Sequence, residues 1–135
     1  MVTLPNDLIV FNATPHPIRF WCAEWPEPIE VPTDSVIDAK PVEVPTGVIC
    51  QSDDYRIENV SVVRTMFKPM PNADEIIKSA FAAGAHVIVG SIIAAQAYPG
   101  QVMAMTPSPG YERVPPDQKR MNPFKFTTFA TVKEI

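Results

Sequence analysis

The chain has 135 residues, of which 46% are hydrophobic and 19% charged, and its formal net charge is −4. This balance excludes an intrinsically disordered chain, and the length predicts a single domain over residues 1–135. A negative net charge with scattered lysines and arginines argues against a nucleic acid polymer as partner, and no apolar run approaches the roughly 18 residues that cross a membrane.

The N-terminal residues and the cysteines indicate the cellular compartment. The first residues lack the basic start and apolar stretch of a signal peptide, so we expect a cytoplasmic protein, in the host cell if the protein is viral. Cys22 and Cys50 are then expected as two reduced thiols, although their spacing allows a disulfide. The 16 prolines, against a usual frequency of about 5%, predict short strands and edges that resist pairing.

Two short apolar runs near the N-terminus predict the first strands. Residues 8–11 form a compact apolar run, and residues 18–22 alternate in pattern. Between them lies Asn-Ala-Thr-Pro-His-Pro, in which each proline keeps the preceding residue out of the helical region. The pattern predicts a β-hairpin of the two strands, joined by a stiff turn that presents the side chains of Asn12, Thr14 and His16.

The middle of the chain predicts further strands. Residues 27–32 and 40–45 end in the same Glu-Val-Pro sequence and predict two short edge strands, each closed by proline. A turn is expected at Thr46-Gly47. Residues 55–67 form the longest strand candidate, and the alternation slips at Glu58-Asn59, where we expect a bulge or bend.

Residues 72–84 have the strongest helical pattern. Asn72 is the predicted N-cap, and Glu75 completes a capping-box spacing. The apolar residues fall on one face, and Gly84 is expected to end the helix.

Residues 85–98 predict a buried strand that runs directly into a helix. The strand is a β-branched run, and the helix is rich in alanine. Gly90 lies at the corner, where a backbone turns sharply without a Cβ clash. Ser91 is the predicted N-cap, and Pro99-Gly100 ends the helix.

The C-terminal part predicts two more strands around a long loop. Residues 101–105 and 124–132 are strand candidates, and residues 107–123 form a proline-rich polar loop of the kind that is often functional. The predicted fold class is therefore α+β, a twisted and mainly antiparallel sheet with two helices packed on it.

The sequence contains no strong catalytic or metal-binding motif. The G-x-S-x-G pattern around Ser91 is absent, and so are the phosphate-binding and dinucleotide glycine motifs. No close spacing of His or Cys predicts a metal site, and no cofactor is implied. His16 or His86 as a general base remains the enzymatic alternative, and a structural role is the alternative for each.

Binding groups are easier to find. The helix beginning after Ser91 exposes the N–H groups of Ile92 and Ile93 to a possible anion. The cations that could complement a phosphate are Arg64, Arg19 and Lys68, and the flat faces on which a base could stack are those of Trp21, Trp25, Tyr55 and Tyr98. For each group the alternative is an ordinary surface or half-buried side chain.

The turn at residues 12–17 is the most unusual polar feature. Asn12, Thr14 and His16 are candidate ligand-binding residues together with Arg64, Ser91 and Ile92. The alternative is a structural cap, in which Asn12 and Thr14 bond to nearby backbone groups.

Three segments carry a family resemblance: the turn motif at 12–17, Val-Val-Arg-Thr at 62–65, and Val-Ile-Val at 87–89 running into Ser-Ile-Ile-Ala-Ala-Gln-Ala. In order and rough spacing they resemble, over most of the chain, a family of short phage, prophage and bacterial proteins. Those proteins open with an Asn-Leu-Thr-Pro-His-Pro turn and later carry a Tyr-Ile-Val-Ser strand–helix junction. The chain departs from this pattern at Ala13, where leucine is usual, in its helix at 72–84, and in its longer loop at 107–123. The resemblance implies a viral or prophage setting and no particular reaction.

Three classes of function are therefore expected, in this order. The first is a non-enzymatic homo-oligomer that binds a small molecule, for example a nucleotide signal, and so counters host defence. The second is a virion-associated protein or one that binds a host protein. The third is a small histidine-dependent phosphodiesterase or glycosidase.

Overall fold

A computed structural model describes residues 1–45 and 63–129, and within them it contains nine strands and two helices. The strands are β1 (Val2–Thr3), β2 (Ile9–Asn12), β3 (Ile18–Phe20), β4 (Ile29–Val31), β5 (Ala39–Pro45), β6 (Val63–Pro69), β7 (Val87–Val89), β8 (Val102–Pro107) and β9 (Met121–Thr127). The helices are α1 (Ala73–Ala82) and α2 (Ile92–Ala97), with a short 3-10 helix at Pro116–Gln118. The predicted turn at Thr46-Gly47, the bulge at Glu58-Asn59 and the end of the last predicted strand lie outside the described residues.

Seven strands form one mixed sheet in the order β1-β2-β7-β8-β9-β3-β4. Its neighbours β2/β7, β7/β8 and β3/β9 are parallel, and β1/β2, β8/β9 and β3/β4 are antiparallel. The α+β class is therefore confirmed. The prediction that the sheet is mainly antiparallel is wrong, because three of its six neighbour pairs are parallel. The parallel β7/β8 pair comes from the β7–α2–β8 unit, since a helix between two strands returns the chain in the same direction and makes them parallel neighbours.

The predicted hairpin of the first two long strands is also wrong. β2 lies between β1 and β7, whereas β3 pairs with β4 and β9. The segment at 12–17 does not fold the chain back on itself. It carries the chain from the second strand of the sheet to the sixth.

Alternate residues of the central strands point to two separate cores. Val87 and Val89 contribute to an inner cluster enclosed by the sheet, while Ile88 packs into an outer cluster beneath the helices. Val10 and Phe11 on β2 divide in the same way. This is the two-residue period of a strand with both faces covered.

The inner cluster draws on strands from both ends of the sheet. It contains Leu4 next to β1 together with Phe20 on β3 and Val31 on β4. Because β1 and β4 are the two outermost strands, the sheet must curl for these side chains to meet.

Helix α1 confirms one predicted terminus and corrects the other. Gly84 follows the helix with φ of +104°, a left-handed conformation that favours glycine. Asn72 occupies the N-cap position, but its backbone is helical (φ −87°, ψ −9°) and its side chain makes no capping hydrogen bond. The predicted capping box is therefore wrong, because a side chain caps a helix from an extended rather than a helical backbone.

The strand-to-helix corner follows the prediction closely. Gly90 is buried, and its N–H donates to the carbonyl of Met103 at 2.9 Å. Ser91 has an extended backbone, and its Oγ accepts from the N–H of Ala94 at 3.1 Å. The glycine is required here for space, because a Cβ would lie 2.6 Å from Cγ1 of Val102 and 3.3 Å from Cβ of Ala94.

We expect Gly90→Ala to lower the free energy of unfolding by about 1–3 kcal/mol, the usual cost of overpacking a tight interior. Chemical denaturation of the variant measures this. In a Val102→Ala background the clashing methyl group is absent, so the same glycine substitution should cost less. An equal cost in both backgrounds would contradict the proposed clash.

Candidate functional site

The turn at residues 12–17 is held together by the side chain of Asn12. Its Nδ2 donates to the carbonyls of His16 at 2.9 Å and Val31 at 3.0 Å, and its Oδ1 accepts from the N–H and the hydroxyl of Thr14 at 2.9 and 2.7 Å. Asn12 is fully buried. The amide has two donor and two acceptor positions, so all of its hydrogen-bonding capacity is used within the protein.

The backbone of Asn12 is hydrogen-bonded to Asp34, which follows β4. Its N–H donates to Oδ2 of Asp34 at 2.9 Å, and its carbonyl accepts from the N–H of Asp34 at 2.9 Å. Together with the bond to Val31, these contacts attach the end of β4 to the end of β2 and hold the sheet in its curled form.

The structural alternative for Asn12 and Thr14 is thus what the geometry supports. Thr14 is also buried, and its Oγ1 lies 2.8 Å from the carbonyl oxygen of His16. His16 itself is exposed. Of the three predicted ligand-binding residues in the turn, only His16 presents its side chain to solvent.

The second predicted site, at the start of α2, lies on open surface. Ser91 is exposed, and Ile92 and Ile93 have exposed fractions of 63% and 44%. Four of the best-formed clefts among the described residues are lined by other side chains, and none includes Ser91, Ile92 or Arg64. Ligand binding at this corner therefore stays a prediction.

His86 has a structural contact with the neighbouring strand. Its Nδ1 accepts from the N–H of Ile9 at 3.0 Å, and its own N–H donates to the carbonyl of Ile9 at 2.9 Å. These two bonds extend the β2/β7 pairing by one residue pair. Neither His86 nor His16 lines any of the same four clefts.

A cleft lined by charged and polar side chains lies between the β3–β4 hairpin and the segment after β8. We call it the arginine cleft. It is lined by Arg19, Glu27, Pro28, Glu30, Tyr111, Asp117, Gln118 and Arg120. Its volume of about 700 Å³ falls within the range of small-molecule sites, about 300–1,000 Å³.

Arg120 is held in the cleft by two aromatic rings. Its guanidinium carbon lies 4.8 Å from the ring centroids of both Trp21 and Tyr111, and the two rings meet edge to face at 5.6 Å. Such contacts are favourable by about 0.5–1 kcal/mol each at exposed sites. The guanidinium is therefore oriented before any ligand arrives.

Ser108 holds the backbone of the three stacked residues together by hydrogen bonds. It is fully buried, its N–H donates to the carbonyl of Arg120 at 2.8 Å, and its Oγ donates to the carbonyl of Trp21 at 2.6 Å. The N–H of Tyr111 donates to the carbonyl of Ser108 at 2.9 Å. One small buried residue thus joins all three members of the stack.

Arg19 is the second fixed cation of the cleft. Its Nη1 donates to the backbone carbonyl of Asp117 at 2.7 Å, and its Nε lies 4.0 Å from Oε1 of Glu30, its cross-strand partner. Since a guanidinium has five N–H groups, several remain for a ligand. A smaller cleft of about 270 Å³ shares Arg19, Glu30 and Asp117 and adds Lys119.

The charges of the arginine cleft are mixed. Two guanidinium groups share it with the carboxylates of Glu27, Glu30 and Asp117. A bare anion would meet the repulsion of the carboxylates, whereas a ligand that carries both an anionic group and hydrogen-bond donors would find partners for each.

Sequence patterns identified only part of this cleft. Arg19 and Trp21 were predicted as phosphate-binding and stacking candidates, but Tyr111 and Arg120 were not. Trp25 instead packs against Phe124, with ring centroids 6.5 Å apart, and the hydroxyl of buried Tyr98 donates to the carbonyl of Asp38 and accepts from the N–H of Met70. Tyr55 lies outside the described residues.

The cysteines, metal binding and membrane spans are the remaining predictions. Cys22 is half-buried, and Cys50 lies outside the described residues, so the state of the two thiols stays a prediction. Within residues 1–45 and 63–129, no group of three or more His, Cys, Asp or Glu side chains is placed to hold a metal ion. The helices in those residues are too short or too polar to span a bilayer.

Comparison with protein-family models, with curated proteins and with solved structures produced no match.

The contact of His86 predicts its tautomer. Because Nδ1 accepts a hydrogen bond, the neutral imidazole should carry its proton on Nε2. Long-range ¹⁵N–¹H NMR correlations distinguish the two tautomers, and exposed His16 serves as the internal comparison. A proton on Nδ1 of His86 in the neutral ring would contradict the bond to Ile9.

Proposed function

We propose that this protein is a non-catalytic binding protein for a small molecule of the nucleotide class, which it holds in the arginine cleft. The observation that supports this most is the fixed guanidinium of Arg120, stacked on Trp21 and Tyr111 in a cleft that also contains Arg19.

Two oriented guanidinium groups suit a phosphate. A guanidinium presents N–H groups in a planar fork that matches two phosphate oxygens. Because Arg120 is held by its rings and Arg19 by the carbonyl of Asp117, little side-chain entropy is lost when a ligand binds.

The carboxylates select what else the ligand carries. Glu27 and Glu30 can accept hydrogen bonds from sugar hydroxyls or from the amino group of a base. Tyr111 adds an aromatic surface at the cleft wall. A nucleotide provides phosphate, hydroxyl and base in one molecule, which inorganic phosphate does not.

Binding is favoured over histidine-dependent catalysis by the position of the two histidines. His86 bonds to the backbone of Ile9, and His16 lies outside the cleft lining. A general base must reach the proton that it removes. The enzymatic alternative therefore has no support from the described part of the cleft.

The biological setting in this proposal comes from the resemblance to phage and prophage proteins. In that setting, a cytoplasmic homo-oligomer that sequesters a host nucleotide signal would counter host defence. Sedimentation velocity of the purified protein tests the oligomeric part of the proposal.

Isothermal titration with a panel of nucleoside monophosphates, cyclic nucleotides and ADP-ribose tests the ligand class. We expect at least one of them to bind with micromolar affinity, and Arg120→Ala to weaken it at least ten-fold through loss of a charge-assisted contact. Arg120→Lys should also bind more weakly, because an ammonium keeps the charge but not the planar fork.

Arg113→Ala is the matched control, since Arg113 is exposed on the same segment and does not line the cleft. Its affinity should equal that of the parent chain. Absence of heat with every member of the panel, or an equal loss in the Arg113 variant, would overturn the proposal.

A further inference from the structure

The β5–β6 ribbon presents a second charged surface. Within residues 1–45 and 63–129, β5 and β6 pair only with each other, in an antiparallel register that sets Lys40 opposite Lys68 and Val44 opposite Arg64. Side chains on a strand alternate between faces, so one face of the ribbon carries Lys40, Val42, Val44, Arg64, Met66 and Lys68. We call these six residues the cationic ribbon face.

The opposite face of the ribbon is the one attached to the protein. Ala39 and Phe67 lie on it and pack against the outer core cluster. Glu43, the one acidic residue among 39–45 and 63–69, also lies on that side. The cationic ribbon face therefore points away from the core and carries three cations and no carboxylate within those residues.

Two lysines on this face favour an anionic partner. Lys40 and Lys68 are exposed and directly opposite each other, an arrangement of like charges that destabilises an isolated ribbon. An acidic group placed between the two lysines would remove their repulsion.

The spacing along the ribbon indicates the shape of the partner. On β6, Arg64, Met66 and Lys68 follow one another at every second residue, so cation, apolar side chain and cation alternate along one face. With a rise of about 3.3 Å per residue, the two cations are separated by roughly 13 Å. An extended peptide with acidic residues four apart and an apolar residue between them has the same spacing.

We propose that the cationic ribbon face binds an extended acidic segment of another protein, with the pattern acid–x–apolar–x–acid. This inference is independent of the arginine cleft and of its ligand. A second copy bound face to face would oppose cations to cations.

Fluorescence anisotropy with a labelled peptide containing Glu-Ser-Leu-Ser-Glu tests the proposal. We expect binding at low salt that weakens as salt increases, and at least ten-fold weaker binding to a Lys68→Glu variant. That substitution places a carboxylate opposite Lys40, so the ribbon itself should remain paired.

Lys78→Glu is the matched control, because Lys78 is exposed and belongs to α1, not to the ribbon. It should leave the affinity unchanged, and a peptide with the two glutamates adjacent should bind less tightly. No binding to the parent chain, equal loss in the Lys78 variant, or equal affinity for the rearranged peptide would overturn the proposal. Binding to phosphatidylserine vesicles without binding to the peptide would also overturn it, in favour of a lipid surface.

Discussion

The side-chain amide of Asn12 bonds to both ends of a gap that the sheet would otherwise leave open. Its Nδ2 group reaches the carbonyl of Val31 on the last strand, while its Oδ1 holds Thr14 in the turn that follows β2. Each such bond contributes only about 1 kcal/mol in net terms, but a buried partner left unsatisfied costs about 1–3 kcal/mol. Loss of the Asn12 amide would therefore destabilise the curled sheet by more than the net contribution of its hydrogen bonds.

The curled form determines where the functional groups lie. Holding Val31 against β2 also fixes its neighbour Glu30, which stands opposite Arg19 in the β3/β4 pairing. These two residues form one wall of the arginine cleft, and the Ser108 network fixes Tyr111 and Arg120 on the other. The turn at residues 12–17 does not line the arginine cleft, where we expect the ligand. Its role is to hold β4, which carries Glu30, in place.

The features that local patterns predicted correctly are those that local chemistry decides. The Ser91 cap, the left-handed Gly84 and the doubly buried β7 each depend on a few adjacent residues. The β2–β3 hairpin failed because its turn bonds to Val31, nineteen residues beyond Asn12, and no short pattern shows that contact. The parallel β7/β8 pair was within reach, since a strand, a helix and a strand in succession predict it.

The cleft was harder to predict than the fold. Arg19 and Trp21 could be named as binding candidates by residue type, but Tyr111 and Arg120 lie in a proline-rich segment without periodicity. Their positions follow from the tertiary contacts of Ser108, which a sequence shows only as one more serine. The sole available signal was the length of the 107–123 loop.

Comparing Asn12→Asp with Asn122→Asp by chemical denaturation tests the central claim most directly. Both asparagines accept through Oδ1, but Asn122 does so in an exposed contact with the N–H of Phe124. In Asn12→Asp the lost Nδ2 donors leave a buried carboxylate facing the carbonyls of His16 and Val31, so we expect a loss of more than about 3 kcal/mol in the free energy of unfolding. Asn122→Asp should change it by less than about 0.5 kcal/mol. Equal stability of the two variants would contradict the role of Asn12 in closing the sheet.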